Sequence, residues 1–206
     1  MRYVYGVLGL MVLLAVVGCG AGGTGSATGK SQASGTNSAP TAVGPGAILP
    51  EGSKIEFIGT KPNGKHDGGF KSFTGSIKPV GEDFAKCTIS IDLDIDSLYT
   101  DADPKLGGHL RSPDFFDVKK YPQSKFVSTA IKAEAKDGVT HVITGDLTLH
   151  GTTKSVTFPA KLGTTDDAVT LDGTFSIDRT EYGIAYDPAQ VNKDVTIKVS
   201  IKAARK

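Results

Sequence analysis

The chain has 206 residues, 38% apolar and 22% charged, the balance of a globular protein with room for one ordinary domain and accessory segments. Its 23 basic and 22 acidic side chains nearly cancel and no run of five like charges occurs, which argues against nucleic acid as a partner. Two cysteines supply neither a zinc or redox motif nor a disulfide framework.

The first 18 residues, MRYVYGVLGLMVLLAVVG, set one early Arg before an apolar run too short and too weakly flanked for a lasting membrane-spanning helix. The segment is therefore read as an export signal. It runs into Val16-Val17-Gly18-Cys19, which resembles the bacterial lipobox and implies that Cys19 is the first mature residue and a diacylated membrane anchor. The alternative is a plain signal, with Cys19 free or paired to Cys87. At about 0.8 kcal/mol per buried CH₂, several acyl chains on one cysteine hold a domain stably at a membrane. Loss of Arg2 with the signal leaves 22 basic against 22 acidic side chains. Gly20 after the cysteine lacks the Asp associated with inner-membrane retention, so the expected location is the cell envelope. The domain would face the periplasm or exterior, on the outer membrane in a diderm cell.

Residues 19–50 follow as acylated cysteine and tether. From Gly20 to Pro50 the composition is almost wholly Gly, Ala, Ser, Thr and Pro with Lys30 the sole charge, too little apolar surface to offset ordering. A flexible chain of this length spans roughly 30 Å r.m.s..

From residue 51 to 206 the hydrophobic period becomes two. It predicts eight strands near 53–59, 69–80, 85–96, 124–134, 139–149, 153–163, 168–180 and 193–204. Cys87, Ile89, Ile91, Leu93 and Ile95 alternate with Thr88, Ser90, Asp92, Asp94 and Asp96. Val169, Leu171, Gly173, Phe175 and Ile177, and then Val195, Ile197, Val199 and Ile201, repeat the pattern. One wet face per strand excludes an all-parallel sheet, and short Gly-bearing connections favour antiparallel hairpins. Eight long strands lose their edges by closing into an up-and-down barrel, which is filled by side chains or holds one small apolar ligand. Cys87 has inward parity and is read as a buried, inert thiol.

One connection is long. About 27 residues lie between Asp96 and Ser124. In them Asp103-Pro104 has the form of an N-cap with Pro at the first helical position, and Ser112-Pro113 starts a second turn. A connection of this length in a compact domain is usually functional, and here it is expected to lid the barrel.

The blocks HLRSPDFFDVKKYPQSKF (109–126), TGDLTLHGTTKSVTFP (144–159) and FSIDRTEYGI (175–184) resemble the YceI-like family of bacterial exported proteins, over roughly Ser53 to Ala203. The resemblance implies a lipocalin-like barrel extended by helical elements, binding a polyisoprenoid chain, with a bound isoprenoid lipid or quinone as the only small molecule. Two departures stand out. GTKPNGKHDGGFKSFTGSI places Pro62 and Asn63 in a turn among the first two strands. KLGTTDDAVTLDG is short where many members carry a Gly- and Trp-bearing insertion, implying a smaller or more open cavity; this chain has no Trp.

By parity the ligand-cavity wall is expected at Ile89, Ile91, Leu93, Phe126, Ile143, Leu147, Phe175 and Ile177. Phe115, Phe116 and Tyr121 are expected to seal one end. His109 and Arg111 either meet a polar head group or fasten the lid, Arg111 through Asp114 or Asp117. Arg179, at inward parity near a barrel end, needs Glu181 or a ligand head as partner. His66, His109, His141 and His150 have no metal-ligand spacing, and no metal site is assigned. His150 is expected to hydrogen-bond its own hairpin. No G-x-S-x-G or H-E-x-x-H motif occurs, and the carboxylates decorate the wet face, so the chain is read as non-enzymatic. The competing reading is a structural or partner-binding module whose barrel its own side chains fill. The sequence leaves a homodimer open.

Overall fold

The computed structural model of the chain describes residues 44–80, 83–102, 104–187 and 189–205. The segment read as an export signal, Cys19, the segment read as a tether as far as residue 43 and the expected N-cap Asp103 lie outside the described residues.

Among the described residues the architecture is all-β, as the period-two pattern requires, with ten antiparallel strands in one sheet instead of eight. They are β1 (Lys54–Lys61), β2 (Gly64–Phe70), β3 (Phe73–Val80), β4 (Asp83–Asp94), β5 (Leu98–Thr100), β6 (Gln123–Lys136), β7 (Val139–Leu149), β8 (Thr152–Thr164), β9 (Ala168–Asp178) and β10 (Asp194–Ala204). Two differences account for the count. The expected strand 69–80 breaks at Lys71-Ser72, its first part pairing with β1 and its second with β4. The three-residue β5, too short to show a period, pairs with β2 inside the long connection. The Pro62-Asn63 turn stands between β1 and β2, as expected from GTKPNGK.

The strand order is β3-β4-β6-β7-β8-β9-β10-β1-β2-β5. Because β2 runs through only Lys71 and Ser72 into β3, strands near opposite ends of that order are covalently continuous, and the sheet curls back on itself. Backbone bonds from Lys71 N to Ser97 O (3.2 Å) and from Asp94 N to Ser72 O (3.1 Å) bridge the break. At the other end a strap upstream of β1 closes the gap between β3 and β10. Ile48 N donates to Gly75 O (3.0 Å), Leu49 N to Lys202 O (2.7 Å) and Ala204 N to Ala47 O (2.8 Å), and Ile48 is 2% exposed. The paired structure thus reaches back beyond the expected start at residue 51.

Hairpin chemistry fixes register locally. Asp137-Gly138 and His150-Gly151 are two-residue loops with positive φ at both positions (52° and 84°; 50° and 75°), the I′ geometry that matches strand twist. The long connection holds a 3₁₀ turn (Ile95–Ser97), β5, one helix, α1 (Pro104–Arg111), and a series of turns from Ser112 to Lys120.

The interior is divided along the barrel axis. At the strap end Ile77, Ile89 and Ile143, each 0% exposed, pack in one core cluster with Ile131, Leu162, Val169 and Ile201. Toward the α1 end the same inward parity lines a cavity.

Candidate functional site

The cavity has a volume of about 180 Å³, far above the roughly 15 Å³ that admits one water. Its walls are Ile91 and Leu93 of β4, Phe126 of β6, Leu147 and Leu149 of β7, Phe158 of β8, Leu171, Phe175 and Ile177 of β9, Val195, Ile197 and Val199 of β10, and Ile55 and Phe57 of β1. These positions converge because β-strand side chains alternate sides and the register keeps like parity opposite like: Ile91 faces Phe126, Phe126 faces Leu147, Phe175 faces Ile197. Two residues expected on the wall are not there. Ile89 and Ile143 have the correct parity but sit too far along their strands, one same-face step from Ile91 and two from Leu147, in the filled half. Parity decides which face a side chain takes, and depth along the axis decides whether it meets space.

Small residues make room for the rings. A Cβ on Gly145 would lie 2.4 Å from the Phe126 ring, and one on Gly68 would lie 2.4 Å from that of Phe57.

The long connection covers the cavity. Leu110, Phe115 and Phe116 line it. Phe116 packs edge-on to Phe57 (6.4 Å) and Phe70 (6.2 Å) of the wall. Phe115 packs with His109 (5.0 Å) and Tyr186 (4.8 Å), and Tyr186 also meets His109 (4.9 Å). Tyr121 does not seal the barrel as expected. Its ring lies over the His150-Gly151 turn, 4.3 Å from the His150 ring.

Neither His109 nor Arg111 lines the cavity. His109 Nε2 is 2.9 Å from Asp114 Oδ2, across the turn that ends α1. Arg111 fastens the lid, but not through Asp114 or Asp117. Its Nε donates to Asp96 Oδ1 (2.9 Å), its Nη2 to the carbonyls of Asp96 (2.8 Å) and Leu98 (2.6 Å), and its Nη1 to Gly107 O (3.0 Å). Asp96 and Leu98 precede α1 in sequence, where spacing arguments do not look.

Arg179 is a second staple. It opens a 3₁₀ turn (Arg179–Tyr182) capped by Asp178, instead of continuing β9, and is 3% exposed against the cavity wall. Its partner is not Glu181, which lies 3.7 Å from Lys154 Nζ. Its guanidinium donates to four carbonyls: Asn192 (3.1 Å) from Nε, Ile184 (2.7 Å) from Nη1, and Tyr186 (2.6 Å) and Val191 (2.7 Å) from Nη2. Burial lowers its pKa, opposed by the Asp178 charge, and the dispersed carbonyl acceptors stabilise the buried cation. The loop it organises brings Ile184 and Val191 to the cavity.

His150 Nδ1 lies 3.1 Å from Tyr182 O, so it ties its turn to the segment after β9 and not to its own hairpin. Cys87 is 7% exposed, and burial raises its thiol pKa to about 11 despite a hydrogen bond with the Lys78 backbone. Sequence reasoning missed Phe158 and the β1 and β10 wall. The signal was present, since Val195, Ile197 and Val199 stood on the apolar face of an alternating strand.

A family model described as "YceI-like domain" matches residues 47–203. The chain is 35% identical over 148 residues to Protein YceI of Escherichia coli O6:H1, covering 67% of this chain and 73% of that one. It is 33% identical over 144 residues to a UPF0312 protein of Pseudomonas putida strain W619, with the same coverage of 67% and 73%. Among solved structures, BcnA of Burkholderia cenocepacia superposes with a TM-score of 0.69 at 28% identity, over 76% of this chain and 99% of that one. A domain of Saccharophagus degradans, described as polyisoprenoid binding and implicated in plant cell wall breakdown, superposes with a TM-score of 0.63 at 13% identity, over 78% and 98%.

Proposed function

Because this chain belongs to the YceI-like domain family, we propose that it is an extracytoplasmic, lipid-anchored carrier that binds the tail of an amphipathic polyisoprenoid-type lipid in its barrel. The observation that carries this reading is the cavity, walled by aliphatic and phenyl side chains and roofed by Leu110, Phe115 and Phe116. Such a lining offers a hydrocarbon chain burial, and Arg179, the charged side chain buried against it, is already committed to four carbonyls, so the tail enters and the head stays outside. At about 25 cal/mol per Å², several hundred Å² of alkyl surface offsets immobilisation of a flexible chain. The polyisoprenoid-binding description of the Saccharophagus domain supports the ligand class. No catalytic role is assigned to any residue: His109 and Arg111, the most reactive-looking pair in the lid, are both engaged in holding it.

The partner-module reading requires a barrel filled by its own side chains. The strap half meets that condition and the α1 half does not. Lipid extraction and mass spectrometry of the purified protein test the carrier reading. A co-purifying prenyl lipid supports it; apo protein that also fails to bind added prenols overturns it. The anchor is tested separately: Cys19→Ser should release the protein from membranes and abolish incorporation of labelled fatty acid.

A further inference from the structure

Over β6, β8 and β9 a row of three rings stands between the filled and hollow halves of the barrel, with Leu171 reaching the cavity from beyond it on β9. Phe126 of β6, Phe158 of β8 and Phe175 of β9 follow one another across the inner face, with centroids 5.8 Å and 4.4 Å apart and the second pair stacked at 15°. All three line the cavity. Phe158 is the middle ring and is 3% exposed. Across β7 its register partner is Ile143, which belongs to the filled half and is 0% exposed. The row is held in place from the glycine side, since a Cβ on Gly145 would stand 2.4 Å from Phe126 and one on Gly173 would stand 3.2 Å from Phe158. Rings that occupy the space of absent Cβ atoms and stack on one another have little freedom to swing aside.

We infer that this row, with Phe158 at its centre, is the floor of the cavity and limits how many isoprene units the barrel buries. The inference rests on the carrier reading above and adds a length rule to it. Each unit of a prenyl tail contributes affinity only while its apolar surface leaves water. When the tip meets Phe158, later units remain outside and contribute nothing. Beneath the row Ile131 and Ile143 pack in the core cluster and do not border the cavity, and removal of the Phe158 ring opens a path toward Ile143.

The test titrates the full chain, Phe158→Ala and the milder Phe158→Leu with all-trans prenols of two to eight isoprene units, in competition with a fluorescent farnesyl analogue. For the unsubstituted protein affinity should rise with length and then level off. In Phe158→Ala the plateau should move to prenols at least one unit longer, with affinity for the longest raised roughly tenfold; Phe158→Leu should move it in the same direction by less. An unchanged plateau in folded variants that still bind prenols overturns the floor assignment alone. Failure of the unsubstituted protein to bind any prenol overturns the carrier reading and the floor with it.

Discussion

Arg111 on the lid helix and Asp96 in the 3₁₀ turn after β4 are joined twice, through Asp96 Oδ1 (2.9 Å to Nε) and through its backbone carbonyl (2.8 Å to Nη2). The arginine also reaches Leu98 O at 2.6 Å, so one guanidinium fixes the helix that roofs the cavity to the strand edge beside it.

The two halves of that contact should separate by mutation. The Asp96 carboxylate is 69% exposed, and an ion pair of that kind contributes at most about 1 kcal/mol after screening, so Asp96→Asn should be nearly neutral. Arg111→Ala removes the carbonyl bonds as well and should cost about 2 kcal/mol. Urea unfolding of both variants checks the ranking, and equal losses would show that the carboxylate dominates.

Arg179→Ala leaves four carbonyls of the 184–192 segment without their donor and should cost about 3 kcal/mol or more. Arg179→Lys should recover only part of this, because one ammonium cannot span acceptors arranged for a planar fork. Denaturant midpoints give the comparison; a loss below about 1 kcal/mol would contradict the staple.

A filled cavity should not carry a tail. Leu93→Trp places a large ring on the lining and should abolish prenol binding while unfolding remains cooperative. Retained binding by the folded variant would place the ligand elsewhere.

Asp178 sets an acid-side limit. Hydrogen bonds from Thr180 and Lys193 hold its carboxyl at about 2, below the ordinary 3.8. A depressed pKa means that the native state favours the ionised form, so the stabilisation is complete above about pH 4 and is lost as pH falls through about 2. Asp178→Asn should be less stable than the unsubstituted protein at neutral pH and converge with it near pH 2, as urea unfolding across that range would show.

Cys87 acts at the alkaline end. With a thiol raised from 9.0 to about 11, the unfolded chain ionises first, and stability should decline between those values. At pH 8 in the native protein the Cys87 peptide should resist iodoacetamide by mass spectrometry and react promptly in urea. Fast native labelling would contradict its burial.

Alternation along β4, β9 and β10 was enough to establish an antiparallel all-β barrel and to sort inward from outward residues, because a strand's side-chain period is a local property of the backbone. The same alternation put Ile89 and Ile91 in one class, yet one is locked in a solid core and the other borders a cavity. That difference arises where rings from β6, β8 and β9 meet over glycines on β7 and β9, a coincidence of register among four strands. The partners of Arg111 and Arg179 were hidden for a related reason. Most of the acceptors are backbone carbonyls, which every residue carries and no residue type signals. Sequence alone determined the period, the faces and the crossover, since these follow from nearest-neighbour chemistry. Only the tertiary structure decided where the barrel is hollow and what holds its lid, since packing depth and carbonyl positions exist only once distant strands are brought together.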